Sequence, residues 1–301
     1  MRYEKKSVLL HDFWKKQCRG MRCLVSILFI LSLLAGLSSC RRTVAPAPLD
    51  VPVEAEDSLA ADTMPAESPE LREMEASMNL DRDFDDFMYA FVRSPRLQRE
   101  RVHYPLPVVS ADTLQDSLVR YLDCAGEFGF MMGEFYTLLF SHPSQMEDAK
   151  SADEETVSVE RINLHEMQIR SFNFERRHGK WMLVGLEDRG VGQSDCGEFL
   201  DFYASFSTDS LFQSRHLARR LRFSMLDPED DNIYIEGTIT SQQWLSFCPD
   251  VPSGIISNVR YGQTFLPHHM VLQKCGFANG LQETFTFDKK GGRWLLTSYE
   301  N

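Results

Sequence analysis

Residues 84–91 read FDDFMYAF and residues 199–206 read FLDFYASF. The shared frame is Phe-x-Asp-Phe-x-x-x-Phe, with Phe84, Phe87 and Phe91 matched by Phe199, Phe202 and Phe206, and Asp86 by Asp201. Six residues further on, Leu97-Gln98 is matched by Phe212-Gln213, again at an offset of 115. Downstream, FNFERRHGKWML at 172–183 returns as FTFDKKGGRWLL at 285–296, an offset of 113 that pairs Trp181 with Trp294. Two independent motifs at nearly one spacing mark an internal duplication, and the period is too long for a solenoid. Two tandem units follow.

Within each unit the local periodicities differ. Phenylalanines at i, i+3 and i+7 fall on one stripe of a helix, so the opening motif predicts an amphipathic helix whose aromatic face is core. The closing motif alternates apolar and polar residues across a charged turn containing Gly179 or Gly292, the pattern of a β-hairpin with an aromatic inner face. Between them, the first unit predicts a strand at 102–109, a helix at 114–122, and strands at 128–140, 157–164 and 167–174. The second predicts strands at 221–225, 233–239, 255–265 and 270–277 and a short helix at 241–247. Together these describe an α+β fold of two tandem cone-shaped domains, 81–190 and 195–301, each a curved antiparallel sheet wrapped on its N-terminal helix. The boundary is expected at 190–194.

The N-terminal segment carries an address. Leu24 to Leu37 is an uncharged apolar stretch preceded by Lys15, Lys16, Arg19 and Arg22, the layout of a secretory signal peptide. It is shorter than the about 20 apolar residues a spanning helix needs. Leu37-Ser38-Ser39-Cys40 resembles a bacterial lipobox, which implies cleavage after residue 39 and acylation of Cys40; Met21 is a credible start. Residues 41–80 hold five prolines, nine acids and no aromatic residue, a composition unable to bury enough surface to fold. A flexible tether of that length spans on the order of 35 Å. Its last part, from Ser68 with Pro69 at the first helical position, has the start signals of a helix.

With the lipobox, the FxDFxxxF helix and the terminal GKW or GRW hairpin in hand, the chain resembles the uncharacterised Gram-negative lipoprotein family catalogued as domain of unknown function 4348. That family is similar to the nuclear-transport-factor-2-like (cystatin-like) superfamily, which implies a cone of curved sheet closed by helices. The resemblance carries no assigned site. Lipoprotein sorting rules, by the same resemblance, imply the outer membrane facing the periplasm, since Arg41 follows the cysteine in place of a retaining Asp.

Charge narrows the partners. The net charge is −12, and beyond residue 40 there are 25 basic and 42 acidic residues. That balance argues against nucleic acid, which needs a basic footprint. No P-loop, dinucleotide glycine pattern, His-Glu-x-x-His or nucleophile elbow occurs, and no cofactor or metal is expected. His268-His269 would point to opposite faces of a strand and so make a poor metal pair. His103, His142, His165 and His178 stand alone, and Asp86 and Asp201 are accounted for by the helix dipole. Cys124, Cys196, Cys248 and Cys275 remain beyond the lipid site. In an oxidising compartment Cys248–Cys275 is the favoured pair, worth about 3.5 kcal/mol by loop-closure entropy, with free buried thiols as the alternative.

The functional expectation is a membrane-anchored, non-catalytic module that binds an unidentified small molecule or protein. The alternative is an isomerase or hydratase with an acid of raised pKa inside a cone cavity.

Overall fold

The computed structural model describes residues 80–110, 117–142, 144–145, 155–227, 230–247, 249–277 and 281–301. The expected signal peptide at 1–39, the expected lipid site Cys40, the expected tether up to residue 79 with its helix, and Cys248 lie outside the described residues. The described residues belong to one compact unit ending at Asn301.

The first half opens with helices α1 (Phe84–Arg93) and α2 (Pro95–Arg101). Asp83 caps α1 through its side chain, which accepts from Asp85 N at 2.8 Å. Ser94 ends α1 and caps α2 by accepting from Leu97 N, with Pro95 in the first helical position. Strands β1 (Leu106–Ser110) and β2 (Ser117–Val119), the single turn α3 (Cys124–Glu127), and β3 (Phe135–Phe140), β4 (Thr156–Asn163), β5 (Gln168–Arg177) and β6 (Lys180–Gly190) follow. The second half repeats this order with α4 (Gly197–Thr208), α5 (Ser210–Arg215), β7 (Leu217–Asp227), β8 (Asp230–Ile239), α6 (Ser241–Phe247), β9 (Ile255–Arg260), β10 (His269–Gly276), β11 (Gln282–Lys290) and β12 (Arg293–Glu300). The short turn at Val191–Gln193 joins the halves.

The duplication extends to ring geometry. Phe84 stands at 5.0 Å and 79° to Trp181, and Phe199 at 5.3 Å and 73° to Trp294. Phe87 meets Phe174 at 5.8 Å and 76°, as Phe202 meets Phe287 at 5.9 Å and 75°. Phe91 and Phe206 make the third contact of each stripe, at 5.5 Å and 5.2 Å. Both indole N–H groups are buried without a hydrogen-bond acceptor, each beside a nearly perpendicular phenyl ring, an arrangement in which an N–H can point at a π face. Phe202 is the one member of the two stripes that is only half-buried, packing on Phe212 and His216 instead. Even turn strain is matched: His178 at φ 52° occupies the place of Gly291 at φ 57°.

Three expectations are corrected. The sheets are not wholly antiparallel, because β1 runs parallel to β6 and β7 parallel to β12; in each half the helical pair returns the chain to the sheet in the same direction. In place of a helix at 114–122, residues 117–119 form β2, hydrogen-bonded to β1. The expected long strand at 128–140 is broken by α3 and a 3₁₀ turn at Gly129–Met131, so that Phe128 plugs the core and only 135–140 is strand.

Each sheet takes one strand from the other half. The orders are β2-β1-β6-β5-β4-β9 and β8-β7-β12-β11-β10-β3. Thus β9 of the second half completes the first sheet, and β3 of the first completes the second. Where these exchanged strands cross, Thr137 N donates to Ser257 Oγ at 2.7 Å and Ser257 N to Thr137 Oγ1 at 2.8 Å. The hydroxyls then donate to each other's backbone carbonyls, at 2.6 Å and 3.0 Å. A reciprocal set of this kind is what an internal two-fold axis requires. Beside it Asn258 is fully buried, accepting from Leu139 N at 2.9 Å and donating to Glu160 at 2.8 Å, while Arg189 pairs with the same carboxylate.

The start of α1 is fastened by Asp81. Its carboxylate takes two bonds from Arg101, at 2.7 and 3.0 Å, and one from Trp181 N at 3.0 Å. Burial works to raise its pKa, but the Arg101 bonds and the Trp181 N–H outweigh it and hold the carboxyl below the ordinary 3.8. The stabilisation is therefore complete above about pH 4 and is lost as pH falls through the lowered folded-state pKa. Asp81→Asn strips the charge from a pair in which the Arg101 side chain is only 9% exposed. A loss of about 3 kcal/mol is expected, measured by urea unfolding at pH 7, with the deficit shrinking toward pH 3.

Candidate functional site

The concave face of each sheet carries charged positions paired across neighbouring strands among its aromatic residues. On the first sheet Arg161 of β4 lies opposite Arg170 of β5, and on the second Lys274 of β10 lies opposite Glu283 of β11. Both members are related by the offset of 113 found in the hairpin motif. The unit thus reserves these positions for charge, and the two copies use them differently.

In the second half the pair is deep. The Lys274 side chain is 5% exposed and that of Glu283 9%. Lys274 Nζ lies 3.2 Å from Glu283 Oε1, 3.1 Å from Asp250 Oδ2 and 4.5 Å above the Phe135 ring, which engages all three ammonium directions. Tyr299 donates to Glu283 Oε2 at 3.2 Å. Burial and the neighbouring Glu283 carboxylate push the Tyr299 phenol well up, so it acts as a donor. Trp244 of α6 closes on Tyr299 at 5.8 Å, and Tyr203 of α4 donates to Pro252 O at 2.8 Å. Asp250, four-fifths exposed, is the solvent end of the cluster.

In the first half the pair is more open. Arg170 holds Asp188 through Nε and Nη2 at 2.7 and 2.8 Å, and Glu127 through Nη1 at 2.6 Å. The Asp188 hydrogen bonds are the main reason its guanidinium pKa rises further. Among the described residues Arg161 has a single ionic contact, Nη1 to Glu127 Oε2 at 3.4 Å, and its side chain is 31% exposed. Phe172, two residues along β5 from Arg170, meets Phe128 at 4.3 Å with the rings tilted by 40° and stacks with Phe130 at 6.1 Å. Arg161 lies on the sheet face that carries Phe172, and with the half-buried Phe130 it suits an anionic group on an apolar body.

The family model for a domain of unknown function, DUF4348, matches residues 62–301. The chain belongs to that family. A solved structure of a nuclear-transport-factor-2-like protein from Bacteroides fragilis is 33% identical to this DUF4348 chain, covering 74% of it and 97% of that protein, with a TM-score of 0.66. The α+β fold of curved sheets on aromatic helices is therefore the nuclear-transport-factor-2-like fold. No curated protein matches this DUF4348 chain.

The candidates read from the sequence of the DUF4348 chain are scattered. Asp201 is exposed, and Asp86 lies on the α1 flank, where partial burial and the charges of Asp83 and Asp85 push its carboxyl up. The acid with the strong contact is Asp85, which accepts from Tyr261 at 2.5 Å; its counterpart is Leu200, so the repeat comparison passed over it. His269 bonds Asp288 at 2.6 Å while His268 is exposed, and no cluster of three or more metal-ligating side chains occurs among the described residues. His142 bonds Ser144, and the His103 backbone N–H donates to Leu183 O. Burial pushes the Cys124 and Cys196 thiols up, to about 11 and about 12, which suppresses thiolate. Cys275 Sγ lies 3.5 Å from Gln273 Oε1; its expected partner Cys248 is outside the described residues. Arg161, Arg170, Lys274 and Glu283 escaped the sequence reading because their partners lie on neighbouring strands and no local motif surrounds them. The offset of 113, extended upstream from the hairpin motif, is the signal that could have found them.

Proposed function

We propose that this protein is a lipid-anchored envelope module that binds a small apolar ligand bearing a carboxylate at the open end of the first cone. Arg161 takes the anion, and the half-buried Phe130, backed by the core rings Phe128 and Phe172, takes the apolar body. The carrying observation is the incompletely engaged Arg161 guanidinium, 3.4 Å from its one carboxylate partner, at a position the unit reserves for charge. The lipobox-like Leu37-Ser38-Ser39-Cys40 supports attachment to the bilayer, at the outer membrane facing the periplasm, and the excess of acids over bases supports a ligand other than nucleic acid. A non-catalytic role is supported by the engagement of Glu283, the most buried acid of the second cone, with both Lys274 and Tyr299; an isomerase or hydratase needs an acid free to exchange its proton.

Two measurements test the reading. The Cys40→Ala variant is expected in the soluble fraction, with the acyl mass gone from the N-terminal peptide. Decanoate, titrated onto the purified chain in a calorimeter, is expected to bind in the wild type and at least ten-fold more weakly in Arg161→Met, since a charge-assisted bond is worth about 1.5–3 kcal/mol. Equal heats from the two proteins would remove Arg161 from the site.

A further inference from the structure

The second half carries a basic strip that the unit does not need. Arg215 ends α5, Arg219, Arg220 and Arg222 follow on β7, and Lys290 and Arg293 flank the β11–β12 turn. Arg293 Nη2 donates to Arg215 O at 3.0 Å, and Arg222 is paired in register with Ser298 of β12, so the end of α5 adjoins the β11–β12 turn and β7 runs beside β12, with Arg220 and Arg222 on the side of β7 away from buried Leu221. All six are exposed. None forms an ion pair with a carboxylate among the described residues, although Lys290 adds to the positive field at Asp288, in a chain of net charge −12.

The first half is an internal control. At the offset of 115, Arg215, Arg219, Arg220 and Arg222 correspond to Glu100, Tyr104, Pro105 and Pro107. The same strand forms there and pairs in the same parallel sense with β6. Folding of the unit therefore does not require arginine at any of these positions. The acids nearby are Asp209, spent on capping α5, Glu198, bound to Lys289, and Glu236 and Glu300, which flank Ser224 beyond Arg222. Leu211, 64% exposed, adds an apolar group at the α5 end.

We propose that this strip is a docking surface for anionic phospholipid headgroups, seating the folded unit on the bilayer that holds its anchor. The occupant follows from charge complementarity and from where the remaining chain leads. Thirty-nine residues of sequence lie between Cys40 and Leu80, and a random coil of about that length spans on the order of 35 Å. The unit then meets headgroups at high effective concentration, so a modest intrinsic affinity is enough. The orientation proposed here rests on the lipid-anchor reading, whereas the affinity of the strip for headgroups does not.

The experiment uses the chain from Arg41 to Asn301 without an acyl group, cosedimented with phosphatidylglycerol-containing vesicles, with phosphatidylcholine vesicles, and titrated with heparin as a soluble polyanion. Binding to the phosphatidylglycerol vesicles alone, weakened by salt, is expected. Arg219→Gln/Arg220→Gln/Arg222→Gln is expected to bind on the order of 100-fold more weakly, since each arginine near an anionic surface contributes several-fold. The unchanged near-UV spectrum of that variant certifies folding, and Lys180→Gln at the first-half turn is expected to leave binding intact. Equal binding to phosphatidylcholine overturns the proposal, as does heparin binding without vesicle binding, or an unaffected triple variant. Failure of the anchor reading shows separately, as an unmodified Cys40 in the mass of the protein made in cells.

Discussion

Residues 80–194 and 195–301, expressed apart, are expected to lack a cooperative thermal transition, and to regain one when mixed. Each fragment is missing the outer strand of its own sheet. Without β9, the β4 residues Ser158 to Asn163 lose their hydrogen-bonded neighbour, and β3 is left with no sheet to join. Unpaired buried backbone groups and exposed strand edges are both costly and prone to aggregation. One escape is open in principle: two first-half fragments could exchange their own β3 strands, placing a threonine where Ser257 now lies. The seam argues against it. Glu160 faces Asn258 across the β4–β9 pair, and the equivalent residue of β3 is Leu138, which faces Gln273 on β10. A homodimer would set buried Glu160 against leucine and forfeit its amide bond, at a cost of several kcal/mol. Circular dichroism melts and size-exclusion profiles of the fragments, singly and mixed, read the outcome. A folded monomeric fragment would show that the strand exchange is dispensable.

Lys274→Met is expected to destabilise the protein by about 3–5 kcal/mol, because it leaves the Glu283 charge buried without its cation. The double variant Lys274→Met/Glu283→Leu is expected to recover most of that loss, since replacing both members of a buried pair by apolar groups is close to neutral. The residual deficit is the acceptor taken from Tyr299, about 1 kcal/mol. Urea unfolding of the two variants beside the wild type measures both numbers, and a single variant within about 1 kcal/mol of wild type would show that water reaches Glu283 through the Asp250 end. Recovery in the double variant would carry a functional meaning as well. A buried ion pair that stability does not require is a candidate for a role at the concave face, whose equivalent in the first half holds Arg161 and Arg170.

Reading the chain alone recovers elements whose evidence is local. The Phe84 and Phe199 stripes and the Trp181 and Trp294 hairpins are written in spacings of a few residues, and the structure places them in matching surroundings, ring for ring. The short helix at 241–247 was also legible, since its three apolar residues sit among polar ones at helical spacing. Elements that depend on remote partners misled the reading. Residues 117–119 look helical in isolation, yet they pair with β1. The run from Phe128 looks like strand, yet Phe128 is drawn into the aromatic core by Phe91 and Phe172.

What the amino-acid order determined unaided was the unit and its copy number: an aromatic helix, a glycine-turned hairpin, and a second instance of both. Which strand completes which sheet was settled only in three dimensions, as was the parallel pairing of β1 with β6 and of β7 with β12. So was the grouping of Arg161 with Arg170 and of Lys274 with Glu283. The physical reason is separation. Side chains that share a face of one helix or hairpin leave a period of 3.6 or 2 in the chain, whereas Thr137 and Ser257, 120 positions apart, meet through packing that no short stretch encodes.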